Sequence, residues 1–505
     1  MAALPSCALI GIVGAGAMGA GIAQVAAQAG HAVLLHDAFA GAAVKGKAAI
    51  VAALDKLSAK GKLDADQAQA IAGRITVCED ITDLSPSALI IEAIVENLDV
   101  KHQLFRSLET IVGPDCILSS NTSSLSLTAL ASVLSDPSRM IGMHFFNPAP
   151  VMALVEVVRG LATAEGLAET IADTARAWGK TPVICKSTPG FIVNRVARPF
   201  YAEGMRLAQE GAADMATIDA VLREAGQFRM GPFELTDMIG HDVNFAVTRS
   251  VHAAYFNDPR FLPSLLQQDL VDAGWLGCKS GRGFYDYGPD AVKPVAATAE
   301  PRTGPKALDV LGDLGPASAL ADLAAKAGMT LVRMGGPGMI DLHGVSIALT
   351  DGRTAAEMAK TSGIDDLVVF DLALDWCTAK RIALAPAGQC SGSGLERAIG
   401  FFQALGLAVS VFADVPGLAV MRSVAMLANE AADTVYHGVT SAAHVDIAMT
   451  KGVNYPLGPL AWAERIGLER VLAVLDNLAR TYGEDRYRAS AHLRRLVAAK
   501  GRFHD

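Results

Sequence analysis

Short apolar runs ended by glycines or polar residues recur through the first third of the chain, and most have the length of strands rather than helices. Residues 8–13 form one such run, and Gly14-Ala15-Gly16-Ala17-Met18-Gly19 follows at once. From Gly19 the stretch GAGIAQVAAQAG predicts a helix ending at Gly30, and residues 31–36 predict a second strand closed by Asp37. Residues 41–72 carry a helical pattern bearing Lys45, Lys47, Lys56, Lys60 and Lys62, which on local pattern alone is a solvated face. Residues 87–95 and 116–119 predict two more strands. The first is followed by Glu96, Asn97 and Lys101, the second by Asn121-Thr122-Ser123-Ser124. Two further strand runs, 140–146 and 152–158, flank Asn147-Pro148-Ala149-Pro150, whose prolines interrupt a ladder and redirect the chain. After Ser187 a Pro-Gly entry opens a helix, and residues 190–285 read as mostly helical.

A strand, a G-x-G-x-x-G turn, a helix, a second strand and an acid at its tip form a dinucleotide-binding pattern. Gly14 permits the tight turn, Gly16 lets the backbone approach a pyrophosphate, and Gly19 lets helix and strand pack closely. Phosphates then sit on the helix N-terminus, and Asp37 accepts hydrogen bonds from the ribose. Ala38-Phe39-Ala40 offers no arginine for a 2′-phosphate, which favours NAD over NADP. The polar groups around Glu96, Lys101 and Asn121–Ser124 stand at strand ends, where doubly wound sheets bind ligands. If the run 152–158 folds back beside 140–146, His144 and Glu156 meet. A carboxylate fixes an imidazole's tautomer and stabilises the imidazolium, as a general base near neutral pH requires. For an isolated pair the blander account is a strand-end histidine and an unrelated glutamate. Asn194, on the first turns of its helix, is by local pattern a capping or solvent-facing residue.

The second half contains a repeat. A shift of 227 superposes Thr188-Pro189-Gly190-Phe191-Ile192-Val193 on Val415-Pro416-Gly417-Leu418-Ala419-Val420. It also pairs Arg195 with Arg422, Glu203 with Glu430, Asp219 with Asp446, Gly231-Pro232 with Gly458-Pro459 and Ile239-Gly240 with Ile466-Gly467. A second resemblance, at a different offset, lays residues 87–101 over 366–380, with Glu96 over Asp375 and Lys101 over Lys380. Residues 306–410 therefore read as a degenerate copy of the nucleotide domain. The loop Gly312-Asp313-Leu314-Gly315-Pro316 lacks the glycine spacing, no HFFNP counterpart exists, and Met421 replaces Asn194, so this half is expected to be structural.

The expected architecture is an α/β N-terminal Rossmann-type domain (residues 1–186) and an all-α helical domain (187–287). A linker (288–305), the degenerate α/β segment (306–410) and a second copy of the helical domain (411–505) follow. A length of 505 residues agrees with several domains. A net charge of −9 without a basic stripe argues against nucleic acid, and no apolar run reaches the eighteen or so residues of a membrane span. Seven scattered cysteines without a CxxC pair suit a reducing cytoplasm and offer no metal site. The start of the chain passes straight into a strand pattern, so export is not expected.

The stretches GAGAMGAGIAQVAAQAGH, IEAIVENLDVK, NTSSLSLT, GMHFFNPAPVMALVEV and STPGFIVNRV resemble the L-3-hydroxyacyl-CoA dehydrogenase family, in the same order and at its spacings. Within it, IGHDVNFAVTRSV, RFLPSLLQQDLV and GVNYPLGPLAW most resemble the long form that works in phenylacetate degradation. The resemblance implies His144 as base, Glu156 as its orienting partner, and Asn194 and Ser123 as groups that hold the substrate oxygen. It implies a cofactor set of Gly14, Gly16, Met18, Gly19, Asp37, Glu96, Lys101, Asn121 and Asn147. It also implies a lysine of the 41–72 region on the CoA phosphates. Lys56 and Lys60 are the candidates, and the loose register leaves the choice open. The implied substrate is an L-3-hydroxyacyl-CoA of fatty acid metabolism or phenylacetate catabolism, 3-hydroxyadipyl-CoA or 3-hydroxybutyryl-CoA. A distal carboxylate would need a cation, for which Arg195, Arg198 and Arg249 are candidates. Single-unit members pair through their helical domains, so either a homo-oligomer (a dimer) or internal pairing is expected. The rivals are an NAD enzyme for a CoA-free hydroxy acid and a non-catalytic NAD-binding protein. No hydratase-sized stretch accompanies these motifs, so a bifunctional fatty-oxidation protein is not expected.

Overall fold

The structure is a computed structural model, and it describes residues 2–504. The chain divides into two compact units, one running to Arg195 and including Gly438–Val453, the other comprising Val196–His437 and Asn454 onward.

The first unit is built on eight strands: β1 (Ile10–Val13), β2 (Val33–His36), β3 (Ile75–Cys78), β4 (Leu89–Glu92), β5 (Ile117–Ser120), β6 (Met140–Phe145), β7 (Leu154–Arg159) and β8 (Thr181–Lys186). Their order is β3-β2-β1-β4-β5-β6-β7-β8. The strands from β3 to β6 are parallel, β7 is antiparallel to β6, and β8 is parallel to β7. The strand order reverses between β1 and β4, which places the ligand crevice of such sheets at the carboxyl end of β1. Strands covered on both faces must be apolar throughout. Accordingly Ile10, Ile12, Leu35, Ile91, Met143, Val155 and Val157 are buried in one cluster with Ile22, Ala23 and Ala26 of the helix Ala17–Gln28.

The helical stretch 41–72 is two helices, Ala42–Ala59 and Ala65–Gly73, separated at Gly61, whose φ of 66° no helix accepts. The segment Gly438–Val453, expected within the second helical copy, belongs to the first unit. Its helix Ala442–Gly452 lies against β7 and β8, with Val439 O accepting from Lys186 N at 2.9 Å and Thr440 Oγ1 donating to Ile184 O at 2.6 Å.

The second unit holds a reduced sheet of β9 (Ala307–Leu311), β10 (Thr330–Met334), β11 (Met339–Asp341), β12 (Ser346–Leu349), β13 (Leu367–Phe370), β14 (Arg381–Pro386) and β15 (Ala408–Val411), ordered β10-β9-β11-β12-β13-β14-β15. The shift of 227 carries β7 onto β14 and the helix Pro232–Ile239 onto Pro459–Ile466, end to end. Left-handed backbone recurs at the same offset, at Phe191 (φ 47°) and Leu418 (52°), and at Gln227 (57°) and Asn454 (55°). One offset therefore runs from the α/β part through the helical part. The alternative superposition of 87–101 on 366–380 is not kept. β4 leads into the helix Leu98–Ile111, whereas β13 turns back antiparallel into β14, as β6 does into β7.

Within this unit the two helical copies pair through Arg198–Gln209 and Val420–Tyr436. Arg422 Nε donates to Glu203 at 2.7 Å and its Nη1 to Glu210 at 2.8 Å, all in buried or half-buried surroundings. Among the described residues no helix is long and apolar enough to cross a membrane.

Candidate active site

Each glycine of the first turn is required for a different reason. Gly14 has a φ of 100°, and a Cβ there would lie 2.6 Å from Ala93 O. A Cβ on Gly19 would lie 1.8 Å from Gly14 O, so only hydrogen fits where the helix crosses the strand. A Cβ on Gly16 would meet nothing within 4 Å, and the residue is exposed. The first two are fixed by packing. The third leaves room for a group outside the fold, as a pyrophosphate on the helix N-terminus needs. Met18, half-buried, follows on the first turn of the helix. Asp37 stands at the end of β2, where Oδ2 accepts from Ala15 N at 2.7 Å and Oδ1 from Phe39 N at 2.9 Å. It thereby ties the glycine turn to the second strand while staying half-buried at the rim.

The register of β6 and β7 sets His144 directly opposite Glu156, and residues so paired lie within side-chain reach. His144 Nδ1 is 2.7 Å from Glu156 Oε2, with the histidine buried and the glutamate wholly so. The other carboxylate oxygen accepts from Ile192 N at 3.0 Å and Val193 N at 2.9 Å. These are orphan donors at the start of the short helix Val193–Val196, reached through left-handed Gly190 and Phe191. One carboxylate thus fixes both the ring and the turn that presents Asn194. With Glu156 as acceptor, Nδ1 carries the proton and Nε2 keeps its lone pair. Nε2 has no hydrogen-bond partner among the described residues. Phe146 and Phe191 flank the imidazole, with ring centroids 4.6 and 5.8 Å away.

Ser123 belongs to the loop after β5, which Glu96 gathers. Glu96 Oε1 accepts from Thr122 Oγ1 at 2.7 Å, Ser123 N at 2.9 Å and Ser124 Oγ at 3.0 Å. Burial raises the Glu96 pKa, but the Lys101 ammonium and these donors outweigh it and hold the carboxyl below its usual range. Lys101, 1% exposed, bridges Glu96 at 3.3 Å to Glu92 at 2.5 Å. Glu92, inside β4, also accepts from Ser120 Oγ at 2.6 Å and Ile94 N at 2.7 Å. Lys101 thus ties the sheet to the loop that carries Ser123. Glu92 was not singled out from the sequence, because it reads as the end of an apolar run. Its signal is a lone carboxylate inside such a run nine positions before a lysine, since a buried charge needs a partner.

Asn121 Oδ1 accepts from Phe145 N at 2.8 Å and so clamps the end of β5 to β6. Asn147 is exposed beyond β6, and its bond to Pro148 is cis. That loop is held by Lys180, another residue without a sequence signal, whose Nζ donates to Ala149 O at 2.5 Å and Met152 O at 2.9 Å. Burial lowers the pKa of this lysine. Lys56 lies in the last turn of Ala42–Ala59 and Lys60 caps it, both exposed and outside any ion pair among the described residues. No group of three or more metal-binding side chains occurs among the described residues.

The second sheet has no equivalent of this arrangement. The 227 shift puts Asp371 at the place of His144 and Ala383 at that of Glu156. Asp371, wholly buried, accepts directly from Ala419 N at 2.9 Å, Val420 N at 2.7 Å and Met421 N at 3.0 Å. A carboxylate satisfies the same helix start without an imidazole. Burial outweighs these donors and pushes the Asp371 pKa up to about 6.

Comparison with known proteins gives a consistent result. Residues 9–188 match the NAD binding domain of 3-hydroxyacyl-CoA dehydrogenase. Residues 190–287 and again 417–503 match that family's C-terminal domain, and 347–416 match the 3-hydroxybutyryl-CoA dehydrogenase reduced Rossmann-fold domain. The chain is 43% identical over 485 residues, 96% of either protein, to a 3-hydroxyadipyl-CoA dehydrogenase of Escherichia coli (strain K12). It is 44% identical over 277 residues, 55% of this chain and 99% of the relative, to a probable 3-hydroxybutyryl-CoA dehydrogenase of Deinococcus radiodurans. A crystal structure of 3-hydroxybutyryl-CoA dehydrogenase from Escherichia coli K12 superposes with a TM-score of 0.90 at 42% identity, covering 98% of each chain.

Proposed function

The chain belongs to the 3-hydroxyacyl-CoA dehydrogenase family, NAD-dependent oxidoreductases, and we propose that His144 is the base with which it oxidises an L-3-hydroxyacyl-CoA to the 3-oxoacyl-CoA. The observation that carries this reading is the buried contact of 2.7 Å between His144 Nδ1 and Glu156. NAD, held by Gly14, Gly16, Met18, Gly19 and Asp37, supplies the acceptor for the hydride of C3.

His144 Nε2 takes the proton of the C3 hydroxyl. Glu156 keeps Nδ1 protonated and offsets the positive charge that the ring gains. Asn194 and Ser123 donate to the substrate oxygens, whose negative character grows in the transition state. Glu96 and Lys101 act at one remove, by holding the loop that carries Ser123. In the reverse direction the imidazolium returns its proton to the alkoxide. One lysine of the 41–72 region, Lys56 or Lys60, meets the CoA phosphates, and both are exposed and outside any ion pair among the described residues. The second half serves as a built-in partner, a reading supported by the pairing of Arg422 with Glu203 between the two helical copies. The E. coli relative's name supports 3-hydroxyadipyl-CoA as a substrate, and the shorter relatives' names support 3-hydroxybutyryl-CoA.

The test is NADH absorbance with NAD and either 3-hydroxybutyryl-CoA, 3-hydroxyadipyl-CoA or free 3-hydroxybutyrate. Turnover is expected with a thioester and not with the free acid. Turnover of the free acid alone would move the reading to a CoA-independent enzyme, and none at all to a protein that only binds NAD.

A further inference from the structure

Side chains two apart along a strand point to the same face of the sheet. In β7, Val155 and Val157 join the apolar cluster around the helix Ala17–Gln28, so Leu154 and Glu156 face the other way. That second face is covered too, since Leu154 and Glu156 are both buried almost completely. The cover comes from late in the chain. The helix Ala442–Gly452 packs on β7 and β8 and buries Val445, Ala448, Met449 and Gly452, one stripe at i, i+3, i+4 and i+7. Its entry is pinned to β8 by the hydrogen bonds of Val439 and Thr440 to Lys186 and Ile184. Strands and helix belong to the same compact unit. A close approach falls at Gly452, where a Cβ would stand 2.6 Å from Leu154 Cδ2 and 3.1 Å from Val193 Cγ2. These two residues bracket the Glu156 carboxylate. Leu154 precedes it by two positions on the same face. Val193 donates its N–H to Glu156 Oε1 at 2.9 Å and directly precedes Asn194.

The offset of 227 shows that such a cover is built into both copies. It carries Met215–Glu224 onto 442–451 and β7 onto β14, and Met215–Glu224 packs on β14 in the second unit. Each helical copy therefore covers the β7-type strand of the other copy. The offset also sets Ala225 at the place of Gly452, in the half that has Asp371 instead of an imidazole. The fold thus admits a Cβ at this position, and the glycine stands where the helix lies beside Glu156. We propose that the helix Ala442–Gly452 is a positioning element of the catalytic site, acting through Gly452 on Glu156 and on the turn that bears Asn194. This rests on the roles assigned above to His144, Glu156 and Asn194. The half without an active site of its own thereby supplies part of the frame of the other.

The experiment uses the full chain with NAD and whichever of the two thioesters wild type turns over faster. Gly452→Ala, Gly452→Val and the volume exchange Gly452→Val with Leu154→Ala are compared with wild type. Lys451→Ala, at an exposed position of the same helix, is the control. For each, kcat, KM, the NAD dissociation constant and the melting temperature are measured. Assayed well below every melting temperature, kcat reports geometry and not the folded fraction. Carbon atoms in contact rest about 3.5–4.0 Å apart, so a Cβ at 2.6 Å moves its neighbours by about 1 Å. A misplacement of that size predicts a fall in kcat of roughly 10- to 100-fold for Gly452→Val. Gly452→Ala loses less, because Leu154 Cδ2 is the end of a flexible side chain. The NAD dissociation constant holds in both, and Lys451→Ala matches wild type. The exchange variant regains most of the lost kcat, because the colliding carbon is gone. Full kcat in a folded Gly452→Val overturns the proposal, as does no recovery in the exchange variant. A loss of NAD affinity in step with kcat, or failure of both single variants to fold, marks plain scaffold and overturns it too. If wild type turns over neither thioester, the dehydrogenase reading falls and takes the proposal with it.

Discussion

Glu156→Gln changes one atom and leaves the fold's shape intact, yet it strikes the hydrogen-bond arrangement at its centre. Three donors converge on this carboxylate: His144 Nδ1 at 2.7 Å, Ile192 N at 3.0 Å and Val193 N at 2.9 Å. A glutamine offers one oxygen and an NH2 group, so it serves either the backbone pair or the protonated Nδ1. If it serves the backbone, its NH2 meets Nδ1 and forces the imidazole into the other tautomer, with a hydrogen on Nε2 and no lone pair for the substrate. If it serves the ring, two buried N–H groups lose their acceptor, at about 1–3 kcal/mol each. In both cases the imidazolium loses its counter-charge. Two charges about 4 Å apart in an effective dielectric of about 20 interact by about 4 kcal/mol, roughly a thousandfold in rate. The account therefore predicts a fall in kcat of roughly 10²–10⁴, read as NADH absorbance, with NAD affinity by fluorescence titration unchanged. A variant within tenfold of wild type would show that the carboxylate does not act on the imidazole, and the reasoning from geometry to role would be refuted.

Gly16→Val and Gly19→Val are expected to separate binding from folding. The first places its side chain in open space and keeps the melting temperature while weakening NAD at least tenfold. The second drives carbon to within 1.8 Å of Gly14 O and loses the fold. Melting curves with and without NAD distinguish them, and a Gly16→Val variant still stabilised by NAD like wild type would contradict the cradle. For Asp371 the folded pKa rises from 3.8 to about 6, so its stabilising protonation is complete below the unfolded value and is lost as pH climbs through the folded one. Between pH 4 and 7 the stability of wild type relative to Asp371→Asn should fall by on the order of 3 kcal/mol in urea titrations. A difference that rises with pH would contradict the assignment.

What the sequence could convey depended on whether a residue's constraint was local. The glycine turn is legible because each glycine answers to backbone geometry a few positions away, and β1, β2 and β6 because they are almost wholly buried and every position but His36 and His144 is apolar. β3 and β8 carry little signal because they are edge strands. β3 has only four residues, with Thr76 exposed, and β8 carries Pro182, which an edge tolerates and a central strand does not. His144 and Glu156 are legible as a pair because an antiparallel return sets their register. Glu92, Lys180 and the wholly buried Asp371 are harder to read, because their partners come from separate elements, and for Lys180 no spacing announces them. Asp371 was within reach of the 227 offset had that shift been followed back beyond Thr188, to where the imidazole's place is taken by an acid.

The most direct test is the initial rate of NADH formation by His144→Gln beside wild type, at saturating NAD and 3-hydroxyacyl-CoA. The account predicts a loss of at least a hundredfold in kcat with the NAD dissociation constant held. A rate within a few-fold of wild type would mean that another group takes the proton, and the assignment of this site would be wrong.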